Sequence, residues 1–262
     1  MTADPQQITL HCAELNRCNQ RGGRMLSILD LIDAETISLD LAAYLLTRMM
    51  AGASLMVGAR PGGAGKTTVM CALLNLAPER APLVAATAPA LRDALREASP
   101  PRRCYVCHEI GAGRYFAYLW DADLRAFCSL REKGHVLATN LHAEDIDEAF
   151  AQVCDENRVP ARHFNAFDLI VFLRVEGGRS GVRRYVERVY ESAPGASSTA
   201  TAPSQRLIYD RRHGLTHDRF VKRDSLALER EGKARAFLEQ MLKTDARTIE
   251  ETRRCLLAAA WV

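Results

Sequence analysis

The chain has 262 residues, of which 48% are hydrophobic and 26% charged, with a formal net charge of +3. That length can bury one large core or two small ones, so a fibrous or wholly disordered chain is excluded. The weak positive charge argues neither for nor against nucleic acid or an acidic membrane face.

In chain order, Met1 to Leu10 shows neither a basic stretch nor an apolar run of the secretory kind. Residues 1–25 are polar and mixed and read as a flexible N-terminal arm, with Arg21-Gly22-Gly23-Arg24 as a cationic hinge. Leu26 to Ile32 is apolar. Ser38 is placed to cap a helix whose Leu41, Tyr44, Leu45 and Met49 share one face, and Gly52 ends it. The longest apolar stretch, Leu41 to Ala59, is broken by Arg48 and bounded by Arg60. It reads as a helix followed by a core strand rather than a membrane span. A cytoplasmic protein is expected, peripheral at the inner membrane if it works there.

Ser54 to Val57 forms the first strand and Thr67 to Leu76 the helix after it. Pro82 to Thr87 reads as a second strand, Ala90 to Ala98 as a helix, and Arg103 to His108 as a third strand. Ala117 to Lys133 reads as one long helix closed by Gly134, His135 to Asn140 as a fourth strand, and Ile146 to Asn157 as a helix. Leu169 to Val175 and Arg183 to Tyr190 pair through the turn Glu176-Gly177-Gly178-Arg179. Strands alternating with helix-length crossovers predict an α/β fold: a mainly parallel sheet covered by helices, with an antiparallel edge hairpin. Residues 26–191 would make this core. Residues 192–204, rich in Ser, Ala, Thr and Pro, read as a disordered linker or loop insert. Residues 205–262 add a short strand and a C-terminal helical appendage, Leu226 to Leu242 and Thr248 to Ala260, with Asp245 as the expected cap of the last helix.

Eight cysteines in a cytoplasmic chain are expected as reduced thiols. Cys104-Tyr105-Val106-Cys107-His108 matches the spacing of covalent haem attachment, but the same residues read better as a core strand, where a small apolar cysteine packs well.

The chemistry concentrates in Pro61-Gly62-Gly63-Ala64-Gly65-Lys66-Thr67-Thr68. A glycine-rich loop between strand and helix aims successive backbone N–H groups at one anion and puts a helix N-terminus behind it. Lys66 would reach the outer phosphates of ATP, and the Thr67 hydroxyl would ligate Mg²⁺. Arg60 stands where the strict pattern has glycine. A nucleotide-hydrolysing site also needs an acid at a neighbouring strand end. Glu109 is the candidate; Asp121 and Asp123 are weaker ones, because helix-surface carboxylates are mostly solvated. The strand tip Thr139-Asn140-Leu141-His142 brings polar side chains towards the same place, with His142 as a phosphate-sensing imidazole and His135 as a core or capping histidine.

Leu26 to Tyr190 resembles the ATPases of type II and type IV secretion, type IV pili and archaeal surface filaments. The phosphate loop, Glu109 as a Walker B glutamate, and Gly134-His135 with Thr139 and His142-Ala143 as a histidine box carry that resemblance. It implies a RecA-like core, ATP with Mg²⁺, a homo-oligomeric ring of six subunits, and work on an inner-membrane platform protein. The sequence departs from the pattern at Val84 to Pro89, where the family's acidic strand end is missing. It also lacks most of the family's N-terminal domain, whose arginines reach a neighbouring nucleotide. Arg21, Arg24, Arg92 and Arg96 are the candidates for that task here. Two other readings share the fold: a catalytically impaired nucleotide-binding regulator of such a ring, and a conjugation-type ATPase on nucleic acid. Against the second, aromatic residues make up only 6% and the arginines are scattered.

Overall fold

The computed structural model describes residues 4–19, 22–178, 181–192, 201–216 and 225–259. Its centre is an eight-stranded sheet of order β10-β9-β8-β7-β1-β6-β3-β2. The strands are β1 (Leu55–Gly58), β2 (Leu83–Ala85), β3 (Cys104–Cys107), β6 (Val136–Leu141), β7 (Leu169–Gly178), β8 (Gly181–Glu191), β9 (Arg206–Asp210) and β10 (Gly214–Leu215). A separate two-stranded ladder pairs β4 (Glu109–Ile110) with β5 (Tyr118–Leu119). From β7 through β1, β6 and β3 to β2 every pairing is parallel, and β8, β9 and β10 extend the sheet antiparallel. β1, β3 and β6 are buried along their whole length, as a sheet covered on both faces requires.

Alternate residues of these strands enter different cores. Leu55, Val57, Val106, Ala138 and Val171 join one apolar cluster, while Met56, Tyr105, Leu137, Ile170 and Phe172 join the other. The first is covered by α1 (Pro5–Arg17), α2 (Ile28–Asp33), α3 (Leu39–Met50), α4 (Lys66–Leu74), α9 (Ser225–Leu242) and α10 (Ile249–Ala258). The second lies under α5 (Ala88–Arg96), α6 (Asp121–Ser129), α7 (Ile146–Phe150) and α8 (Ala161–Phe164). The period-two pattern of each strand thus decides which helix layer its side chains meet.

Three elements differ from expectation. The N-terminal stretch, read as a flexible arm, is helical over Pro5–Arg17. Asp4 caps it by accepting from the Gln6 N–H at 2.9 Å, and Ile8, Cys12 and Leu15 are buried in the core. Their helical spacing outweighs the polar composition around them. Arg21, part of the expected hinge, lies outside the described residues. The expected helix over 117–133 starts only at Asp121. Positive φ angles of 54° at Ala117 and 48° at Asp121 turn the chain on either side of β5, which pairs with β4 instead. The last helix is capped by Thr248 and not by Asp245. The Thr248 hydroxyl accepts from the Glu251 N–H and the Glu251 carboxylate accepts from the Thr248 N–H, a reciprocal capping box.

The expected disordered linker falls largely on residues 193–200, outside the described residues. Its flanks are fastened: the Ser192 hydroxyl lies 2.8 Å from the Asn165 carbonyl, and the Ser204 N–H donates to the Asn165 side chain at 3.0 Å. On the other side of the sheet α10 grips the end of α4. The buried Arg253 guanidinium donates to the carbonyls of Asn75 and Ala77 at 2.8 and 3.0 Å, and Asn75 donates back to Ile249 at 3.0 Å.

Candidate functional site

In a parallel sheet the strands' C-terminal ends share one edge, and ligand sites gather there. Here β6 lies between β1 and β3, so the loop leaving β1 faces the acid that follows β3 across the tip of β6. The loop over residues 59–65 owes its shape to Gly63 and Gly65, with φ of 78° and 94° in the left-handed region. Side-chain-bearing residues resist that conformation. Gly65 is the N-cap residue of α4, so the first amides of that helix point out of its end with no side-chain cap. Arg60, at the position that departs from the strict pattern, turns away and pairs with Glu144 and Glu148.

Lys66 opens α4 and is 6% exposed. Its Nζ donates to the Ala59 carbonyl at 3.4 Å and stands 3.6 Å from Glu109 Oε2. His142, just past the end of β6, closes the group. Its Nε2 is 3.1 Å from Glu109 Oε1, and its Nδ1 is 3.0 Å from the Arg60 carbonyl. Glu109 is held by the β4–β5 ladder, where it pairs with Tyr118. The structure therefore brings Lys66, Glu109 and His142 into one cluster of cation, carboxylate and imidazole.

Thr67 sits beside it. The buried Asn140 side chain donates through Nδ2 to the Thr67 hydroxyl oxygen at 3.3 Å and to the His108 carbonyl at 3.0 Å. One amide thus links the start of α4, the tip of β6 and the end of β3. Asn140 Oδ1 is buried and has no hydrogen-bond partner. These residues fit a polyphosphate and a hard cation: loop and helix-end amides for phosphate, Lys66 for its charge, and an oxygen ligand at Thr67. Among the described residues no group of three or more His, Cys, Asp or Glu side chains is placed to hold a metal. Mg²⁺ at such sites keeps several waters and takes phosphate oxygens besides its protein ligands, so a preformed protein cage is not required, and Thr67 would supply one oxygen.

The cleft around these groups has a volume of about 570 Å³. Beyond the loop it is walled by Cys18, Arg24, Met25, Leu26 and His108, with Arg184 leaning in from β8. Arg24 is fully engaged there, donating to both Asp30 oxygens at 2.7 and 2.8 Å and to the Arg247 carbonyl at 2.8 Å. Cys18 Sγ is 3.3 Å from His108 Nε2. A hydrogen bond with Cys71 and the contact with His108 hold the Cys18 thiol below its ordinary range despite burial.

Other residues singled out in the sequence lie elsewhere. Asp121 and Asp123 are exposed in the first turn of α6, Asp121 paired with Arg125 at 3.7 Å. His135 is buried under Tyr105, its Nδ1 accepting from the Arg103 N–H at 3.2 Å, which is a packing role. Arg92 and Arg96 lie on α5, away from the cleft wall. Cys104 and Cys107 are buried in β3, where burial pushes both thiols up to about 12, as suits core residues. Arg184 and Cys18 stand in the sequence only as one of several scattered arginines and as a thiol without metal-site spacing, and the fold brings both to the cleft.

No family model matches the sequence, and no curated protein does. Among solved structures the chain is similar to the VirB11 ATPase from the Brucella suis type IV secretion system, in complex with sulphate. The identity is 20%, over 63% of this chain and 54% of that one, with a TM-score of 0.44. It is also similar to the Legionella pneumophila ATPase DotB, at 13% identity, over 86% of this chain and 58% of that one, with a TM-score of 0.39. The chain spans little more than half the length of either.

Proposed function

We propose that this chain is an ATP-hydrolysing motor subunit of a secretion, pilus or filament assembly system. The observation that carries the reading is the meeting of Lys66, Glu109 and His142 at the mouth of a glycine loop that opens a helix. The loop amides and Lys66 would hold the phosphates of ATP, and Thr67 would hold Mg²⁺, which when bound offsets phosphate charge as it develops. Glu109 would orient the attacking water and take its proton, with His142 registering whether the last phosphate is present. The resemblance in the motifs supports a homo-oligomeric, six-membered ring acting in the cytoplasm on an inner-membrane platform protein. Among the described residues no helix is long and apolar enough to cross a membrane.

The end of β2 favours a second reading. Residues Ala85, Ala86, Thr87 and Ala88 offer no carboxylate there, so the cleft relies on Glu109 as its acid. A nucleotide-binding regulator that occupies a place in a ring would look the same. Nucleotide affinity and phosphate release, measured on wild type, Lys66→Ala and Glu109→Gln, separate the two. For the motor reading, Lys66→Ala loses Mg·ATP binding, while Glu109→Gln binds and loses turnover. Binding without turnover in the wild type, alone and in a ring verified by mass photometry, selects the regulator. Equal binding by wild type and Lys66→Ala overturns both.

A further inference from the structure

We infer that Arg184 is a phosphate-contacting residue of this cleft, a second cation supplied from within the same chain by the β7–β8 hairpin; the inference rests on the nucleotide reading of the site. Three cationic side chains with always-charged or ammonium heads line the cleft: Arg24, Lys66 and Arg184. Arg24 is consumed by Asp30 and the Arg247 carbonyl. Lys66 faces the Glu109 carboxylate, which offsets its charge towards an incoming anion. Arg184 is different. Its Nε donates to the Gly63 carbonyl at 3.0 Å, and its Cδ stands 3.8 Å from where a side chain on Gly65 would begin. The guanidinium therefore lies along the two glycines that bend the loop around its anion.

The other described arginines of the hairpin have carboxylate partners. Arg174 faces Glu187 at 3.8 Å, Arg183 faces Glu35 at 3.3 Å, and Arg188 faces Asp210 at 3.9 Å. Arg184 forms no ion pair among the described residues. A guanidinium is a rigid fork of five N–H donors, and with Nε spent on Gly63 the two terminal nitrogens keep the geometry for phosphate oxygens. Its neighbour Arg183 is directed to Glu35 at the end of α2, as alternation along a strand requires. The register of β8 thus separates one arginine that secures the fold's edge from one that reaches the loop. The ligand class is a nucleoside polyphosphate, with Arg184 on its phosphates rather than its base.

The test is titration calorimetry with Mg·AMP-PNP on the full chain, for wild type, Arg184→Gln, Arg184→Ala and Arg183→Ala, with thermal unfolding as the control for folding. The two Arg184 variants are expected to weaken binding about ten- to a hundredfold, the range of a charge-assisted hydrogen bond. Arg183→Ala, which removes the same charge one residue away, is expected to stay within about twofold, being a surface pair. If Arg184→Ala does not fold, Arg184→Gln gives the same reading with the strand's bulk preserved. Wild-type affinity in Arg184→Gln overturns the inference and leaves the nucleotide reading standing. An equal loss in Arg183→Ala overturns it too, since bulk charge would then be the cause. Absence of AMP-PNP binding in the wild type removes the nucleotide reading and this inference with it.

Discussion

Both ring nitrogens of His142 stand 3.2 Å from the Nζ of Lys66. A neutral imidazole has one donor and one acceptor nitrogen. If Nε2 donates to Glu109, Nδ1 can accept from Lys66, and the Arg60 carbonyl receives nothing from the ring. If Nδ1 donates to Arg60, the ring turns a lone pair towards the Glu109 carboxylate. The contacts of His142 therefore cannot all be met by one neutral tautomer, and an anion that engages Lys66 changes which set is favoured. Accordingly, His142→Ala is expected to leave Mg·ATP affinity within about threefold and to lower kcat about a hundredfold, the cost of misplacing the Glu109 carboxylate that His142 contacts. Steady-state phosphate release, separated into kcat and KM, checks this; a rise in KM alone would assign His142 to binding.

Gly58 ends β1 where there is no room for a side chain. A Cβ there would stand 2.6 Å from the Phe172 ring and 2.8 Å from the Ala143 carbonyl oxygen. Gly58→Ala should therefore destabilise the protein by about 1–3 kcal/mol, the ordinary cost of overpacking. Gly177→Ala, in open space on β7, should change stability by less than about 0.5 kcal/mol. Urea unfolding of the two variants checks the contrast.

Arg253 is 2% exposed and donates through one terminal nitrogen to two carbonyls at the end of α4, while its buried Nε has no hydrogen-bond partner among the described residues. Burial lowers its pKa to about 10, which leaves it charged at neutral pH. Arg253→Ala leaves those carbonyls without a partner and opens a cavity. A loss of about 2–4 kcal/mol is expected, and a smaller one for Arg253→Lys, which keeps a donor but not the fork. Chemical denaturation curves measure both.

Asp30 carries a stability that depends on acid. Burial tends to raise its carboxyl pKa, but the Arg24 guanidinium and the Ser27 N–H outweigh this and hold it below the ordinary value of 3.8. A depressed carboxylate stabilises the fold above its unfolded pKa and loses that contribution as pH falls through the folded one. Wild type should therefore be more stable than Arg24→Ala at pH 6, and the gap should narrow as pH drops below 3.8. Thermal unfolding across that window tests the sign; a gap that widens in acid would refute it.

Of Cys12, Cys18, Cys104, Cys107 and Cys154, Cys18 should react first. Its thiol is lowered by Cys71 and His108, while burial pushes Cys12, Cys104, Cys107 and Cys154 up to about 12. The thiolate is the nucleophile, so iodoacetamide at neutral pH should label Cys18 ahead of these four once the cleft opens enough to admit it. Mg·ATP should slow that labelling, because Cys18 lines the same cleft. Peptide mass spectrometry against time gives the order.

Local chemistry was the readable part of this chain. The strand, loop and helix around Lys66 are legible because glycine, lysine and an apolar run act over a few neighbouring positions. The crossover helices and parallel strands follow from hydrophobic period in the same way. What escaped reading depends on distant partners. Tyr118 and Leu119 have the aromatic and apolar character of either element, and only Glu109 and Ile110 across the ladder make them a strand. The helix at Pro5–Arg17 looks polar until Ile8, Cys12 and Leu15 find a core to enter. Arg184 is 121 positions from Gly63 in sequence, so no local pattern could bring the two together. Lys66, Glu109 and His142 each stood out by type and place, whereas the Asn140 bridge between Thr67 and His108 required the register of β6 against β3.

The helix that starts at the phosphate loop is fastened at its far end by the chain's last helix. Its nine residues make a strut of about 14 Å between the loop and that fastening. A tug on the opening turn from the loop would be felt by Asn75 and passed, through Arg253, to a face of the molecule that never meets a phosphate. Amide signals of Ile249 to Ala258 are accordingly a place to watch the loop from behind.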